Sequence, residues 1–174
     1  MKIMPVHQRG STLIISLMIL IVMTLIGLTG VMTSTLEEKM AGNTRDQALA
    51  FQAAEAALRD GEEYYNDAID SPAVSFNGGS PGLYATGDAP DLHADATWNT
   101  ARVYSGVIEG VKSQPRYIIE LVGAVGQATE DLNIGGYGDA SGLGNLVAVR
   151  VTARGVGGSG NTTAIIQSNF GKRF

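Results

Sequence analysis

The chain contains no cysteine. Disulfide frameworks, thiolate zinc sites and cysteine nucleophiles are excluded with it. The compartment stays open, because extracytoplasmic proteins need not be cross-linked. Basic residues are scarce: 12 Lys and Arg stand against 17 Asp and Glu, a net charge of −5 over 174 residues. No block of them offers a phosphate-binding stripe, which argues against a nucleic-acid partner. The two histidines, His7 and His93, are far apart in the chain. No Ser-His-Asp arrangement stands out, and no phosphate-cradling glycine motif follows a strand. An enzyme is therefore not expected. His93 lies among Asp91 and Asp95, but no second histidine is nearby, and a solvated loop is preferred to a metal site. No cofactor is expected.

Charge is also missing from one long stretch. None occurs between Arg9 and Glu37, and residues 13–32, "LIISLMILIVMTLIGLTGVM", are almost continuously apolar. As a helix they span about 30 Å, the thickness of a bilayer's hydrocarbon core. A buried helix of a soluble domain is rarely apolar on every face. A cleaved secretory signal has a shorter apolar region ending in a small-x-small site, and "GLTGVMTSTLEE" offers only a poor one. Lys2 and Arg9 precede the span, so the positive-inside bias places the N-terminus in the cytoplasm and the remainder outside. A plain single-pass anchor with a helical stalk fits all of this. It leaves Gly10 unexplained, set between the basic leader and the first apolar residue.

Proline is absent from Thr33 to Ile69, and Gly42 and Gly61 are the only glycines there. The stretch "DQALAFQAAEAALRDGEEYY" is rich in strong helix formers. Phe51, Ala54, Leu58, Gly61 and Tyr65 recur at helical spacing and predict an apolar stripe for packing on a sheet. Glu55 and Arg59 take the favourable i,i+4 order on another face. Asp70-Ser71-Pro72 ends the run. One helix is predicted over residues 12–69, roughly 85 Å long, with a loosening around Gly42-Asn43.

Residues 71–101 are rich in Gly, Pro, Asp, Ser and Asn and read as loop with short turns, pinned to the domain by Tyr84 and Trp98. Strands are predicted at 116–122, 146–154 and 162–170, with a weaker one at 101–111. Val147, Val149, Val151 and Ala153 alternate with Arg150, Thr152 and Arg154. The "GVGGSGN" between the last two strands reads as a flexible hairpin connection. The fold class is thus α+β: a three- to four-stranded antiparallel sheet whose apolar face is covered by the amphipathic half of the long helix. The glycine-rich residues 130–145 carry Glu130, Asp131 and Asp139 without EF-hand spacing, so a mobile loop is preferred to a calcium site.

Taken together, "QRGSTLIISLMILIVMTLIG" resembles the N-terminal processing motif of type IV pilins, and "TLEEKMAGNTRDQALAFQAAEAALRDGE" (35–62) resembles the signature of PilX-type minor pilins. The C-terminal "VRVTARGVGGSGNTTAIIQSNF" is similar to the end of the same family. The resemblance implies a pilin-like fold and four segments: a leader, 1–10; the transmembrane and fibre-core half of the helix, 11–35; its amphipathic half, 36–70; and a periplasmic globular domain, 71–174. It implies cleavage by prepilin peptidase between Gly10 and Ser11, with N-methylation of Ser11. It implies residence in the inner membrane of a Gram-negative bacterium and then at the cell surface in the pilus.

The implied function is priming of pilus assembly at or near the tip, supporting twitching motility and adhesion. The implied partners are other minor pilins, the major pilin, a tip adhesin and the inner-membrane assembly platform. Most relatives carry Glu where this chain has Ile15. In the family that carboxylate is thought to meet the N-terminal amine of the subunit ahead. A lone carboxylate in mid-bilayer costs at least a few kcal/mol, so Ile15 suits a subunit with nothing ahead of it. A neutral variation at a non-tip position is the alternative. Gly27 and Gly30 fall where pilin helices unwind in fibres, although close helix packing explains them as well. Two other readings remain open: the tip-most pseudopilin of type II secretion, and a membrane-anchored periplasmic binding module that keeps residues 1–10.

Overall fold

The computed structural model describes residues 11–70, 76, 80–125 and 146–173. A single helix, α1, runs from Ser11 to Ala68. It is unbroken at Gly42-Asn43, where the sequence predicts a loosening. The chain divides at Thr44/Arg45 into two units. That division and the compositional limit at 35/36 mark different events. Charge begins at Glu37, whereas the first side chain tied to the globular part is Asp46.

In the second unit, α1 is followed by β1 (Leu83–Tyr84), α2 (Asp95–Thr100), β2 (Arg102–Val103), β3 (Arg116–Val125), β4 (Leu146–Val156) and β5 (Thr163–Arg173). The order across the sheet is β1-β3-β4-β5, and β2 also pairs with β3. The three long strands form an antiparallel meander, as the alternation of their residues predicts. The sheet is not wholly antiparallel, because β1 runs parallel to β3, with Leu83 opposite Ile119.

Residues 71–101 are accordingly more than loop. Gly82 turns the chain at φ +73°, and its carbonyl accepts from Ile119 N–H at 2.8 Å. Helix α2 has only six residues, too short for a periodicity argument to detect. It is held by tertiary bonds: Trp98 Nε1 donates to the Leu92 carbonyl at 3.0 Å, and Thr97 Oγ1 to that of Asp91 at 2.6 Å. The weak strand expected over 101–111 shrinks to β2. Beyond it Ser105 is drawn off the sheet by Asp60 of α1, which accepts from its hydroxyl at 2.5 Å and its N–H at 3.1 Å. β3 outlasts its predicted end because a bulge leaves Val122 unpaired and pairing with β4 resumes at Gly123, which takes φ +133°.

Both faces of the sheet are covered. Tyr117, Ile119, Val149, Val151 and Ala153 form the main core with Ala57, Tyr65 and Ile69. On the opposite face Ile118 packs with Trp98 and Ala101, flanked by Tyr84 and Leu92. This smaller cluster is the reason Trp98 is buried although its sequence neighbours are polar.

Candidate assembly site

Among its described residues the first unit consists of the helix alone. Its large apolar side chains, from Leu13 to Met40, are 49–74% exposed. Six of its hydroxyls, by contrast, turn inward on the helix. The hydroxyls of Ser16 and Thr24 donate to the carbonyls of Leu13 and Ile21 at 2.9 and 2.8 Å. Those of Thr29, Thr33, Thr35 and Thr44 reach the carbonyl four residues back at 2.8–3.0 Å. Each of these six thus finds an acceptor without water, which a hydrocarbon or protein-core environment demands. The result is a helix long and apolar enough to cross a membrane.

Ile15 is 56% exposed on this segment. A methyl group built on Gly27, Gly30 or Gly42 meets no described atom within 4 Å. Nothing in the described chain therefore requires glycine at those places. Ser11 is the first residue of α1; Gly10, its proposed cleavage partner, lies outside the described residues.

In the second unit small size has a visible cause. Ala50, Ala53, Ala54 and Ala57 are fully buried, followed by Gly61 and Tyr65. A methyl on Gly155 of β4 would run into the helix backbone at Ala50 and Ala54, and one on Gly61 into Val151 and Tyr117. Helix and strand meet here almost backbone to backbone. Of the predicted packing residues, the structure places Ala54 and Tyr65 in this seat and Leu58 half-buried beside it. Phe51 is a correction: it is 50% exposed. The seat leaves no room for its bulk, and the buried stripe is turned toward alanines that a search for large apolar residues passes over.

Polar ties fix the helix on this seat. Asp46 accepts from Ser159 at both N–H (3.0 Å) and hydroxyl (2.6 Å). Bonds from the Ser159 and Thr162 hydroxyls and then the Ser159 amide lower its pKa from 3.8 to about 2. The "GVGGSGN" connection is therefore a pinned hairpin, not a flexible one. Glu62 accepts from the Ser168 hydroxyl at 2.6 Å. Tyr65 is buried, which raises its pKa; its hydroxyl donates to the Val147 carbonyl at 3.1 Å. Its ring meets Phe170 edge-on at 6.0 Å. Lys172 donates to the carbonyls of Asn66 and Ile69 at 2.5 and 2.9 Å. It thereby serves the C-terminal end of a helix that carries no basic residue in its own last turn.

Sequence reasoning missed Asp46 and Gly155. By sequence Asp46 is indistinguishable from a solvated acid on a helix, and Gly155 blends into the glycine-rich turn that follows it. Glu55 and Arg59 do pair, at 2.6 Å, but both are exposed and the pair contributes little. Asp91 Oδ1 accepts from the backbone N–H of His93 at 2.9 Å, a local turn. Among the described residues no three His, Asp or Glu side chains converge on a metal-sized site. The expectation for residues 130–145 lies outside the described residues.

Two family models match the chain. One, described as PilX N-terminal, covers residues 9–59; the other, described as type IV pilus assembly protein PilX C-term, covers residues 42–172. No curated protein and no solved structure matches.

Proposed function

The chain belongs to the PilX family of type IV pilus assembly proteins, and on that premise we propose that it is a minor pilin that primes fibre assembly and stays at or near the tip. Family members are structural components of pili, not enzymes. The observation that carries the proposal is the bare apolar half of α1, where the hydroxyls of Ser16, Thr24, Thr29, Thr33 and Thr35 bond to the helix's own carbonyls. Such a segment suits a bilayer and a fibre core equally. Moving between the two exchanges one apolar surrounding for another, and the assembly platform supplies the work of extraction.

In this reading prepilin peptidase cuts between Gly10 and Ser11, and Ser11 is methylated. Ile15 removes the need for an amine partner ahead of the subunit and so fits the tip. Gly27 and Gly30 lower the cost of unwinding the helix by about 1 kcal/mol each relative to alanine. Other minor pilins and a tip adhesin are the partners, and twitching and attachment follow from the complex. The inner membrane of a Gram-negative cell is the first location and the cell surface the next.

Crosslinking in native membranes followed by co-purification tests the proposal. Other minor pilins and an adhesin should be recovered with the chain; recovery of the chain alone would count against it. Ile15→Glu should reduce piliation without changing domain stability, and unchanged piliation would remove the support that Ile15 lends to a tip position. A large inserted helical domain, expected of the tip-most secretion pseudopilin, has no counterpart between β1 and β3, where α2 spans six residues.

A further inference from the structure

Ahead of the bulge, the sheet face turned away from α1 carries three cross-strand pairs between β3 and β4. Glu120 stands opposite Arg150 and forms an ion pair with it at 3.2 Å. Ile118 stands opposite Thr152. At the third position Arg116 stands directly opposite Arg154. Like charges placed opposite each other across an antiparallel pair are destabilising, so this last pair needs an account that the first does not.

The two arginines line a cavity of about 280 Å³ together with Asp95, Trp98, Asn99 and Ser113. Part of their bonding is committed to α2. Arg116 Nη1 donates to the carbonyls of Trp98 and Asn99 at 2.6 and 3.1 Å. Arg154 Nη2 meets Asp95 Oδ1 at 2.8 Å, and the Arg154 Cζ lies 5.7 Å from the centre of the Trp98 ring. Asp95 is 88% exposed and answers one of the two charges. A guanidinium has five N–H donors in a planar fork, and among the described residues each arginine engages these partners through one terminal nitrogen. Among the described residues the cavity therefore keeps one positive charge without a paired carboxylate, further donors and an aromatic wall, on a chain whose net charge is −5.

We propose that this cavity binds a side-chain carboxylate from an acidic segment of a partner protein. A carboxylate matches the arginine fork in two-point geometry. It restores at Arg116–Arg154 the neutrality that Glu120 already provides at Arg150.

The chain has one tryptophan, and it lines the cavity, so its fluorescence reports binding locally. The full chain in detergent micelles is titrated with the peptide acetyl-Gly-Glu-Glu-Gly-amide, with its Gln counterpart, and with inorganic phosphate. The Glu peptide should give a saturable Trp98 response that the Gln peptide does not. Ser113→Glu and Asn99→Asp place a competing carboxylate at the cavity while leaving the Arg116 and Arg154 bonds to α2 in place. Each should weaken the response by about tenfold or more. An absent response to the Glu peptide, or an equal response to the Gln peptide, overturns the proposal. So does binding that survives both substitutions. A response to phosphate without one to the Glu peptide also overturns it, in favour of a phosphate ligand.

Discussion

Glycine answers to different neighbours in the two units. A methyl added to Gly27 or Gly30 meets nothing, whereas one added to Gly61 or Gly155 strikes a core side chain or the backbone of α1. In the second unit the small residues are explained inside the chain, because helix and sheet meet too closely for anything larger. In the first unit no described contact explains them, nor the run of exposed apolar side chains beside them. What the chain's own fold does not account for is the part long and apolar enough to cross a membrane and, by our proposal, addressed to it and to other subunits.

The contrast can be broken most directly at Gly155. Gly155→Val should destabilise the second unit by about 3 kcal/mol through overpacking against Ala50 and Ala54, read as a lowered thermal midpoint by circular dichroism. A wild-type midpoint would mean that the close approach is not required. A smaller effect is expected at Asp46. Its folded pKa lies below its ordinary 3.8, at about 2. The stabilisation it contributes is therefore present above about 3.8 and disappears as pH falls through about 2. Asp46→Asn should flatten that acid-side dependence in a series of melts between those limits, and a curve parallel to wild type would assign the dependence to other carboxylates.

Smaller still, Phe51→Ser should change stability by less than about 0.5 kcal/mol, as at other exposed sites. A loss of about 3 kcal/mol would put Phe51 back in the core. The smallest effect on the second unit is expected from Gly27→Ala with Gly30→Ala. Its melting should not move, while the amount of pilus recovered by shearing should fall. The opposite pattern would erase the distinction between the units.

Much of this contrast was legible in the sequence. An uncharged run from residue 10 to 36 needs no tertiary information to be read as a membrane-length helix, and the alternation of Val147, Val149, Val151 and Ala153 gives β4 and its buried face together. Phe51 shows where such reading stops. Hydrophobicity ranks Phe above Ala, but the distance between helix and strand, which no local window contains, reverses the order. β1 and α2 were missed because two and six residues carry no period. Pairing with β3 holds β1, and Arg116 of β3 and Arg154 of β4 hold α2, all from farther along the chain. Arg116 and Arg154 could be seen in the sequence, but that they face each other depends on the register. The resemblance to a processing motif, in contrast, is wholly local, and it rests on residues that lie partly outside the described structure.

By our proposal the apolar half of α1 is an assembly segment freed by removal of the leader, not a permanent anchor. Intact-mass and N-terminal mass spectrometry of the chain, taken from both membranes and sheared pili, tests it most directly. The account predicts one mature species beginning with methylated Ser11 in both fractions. A chain that still begins at Met1, and is confined to the membrane, would contradict it.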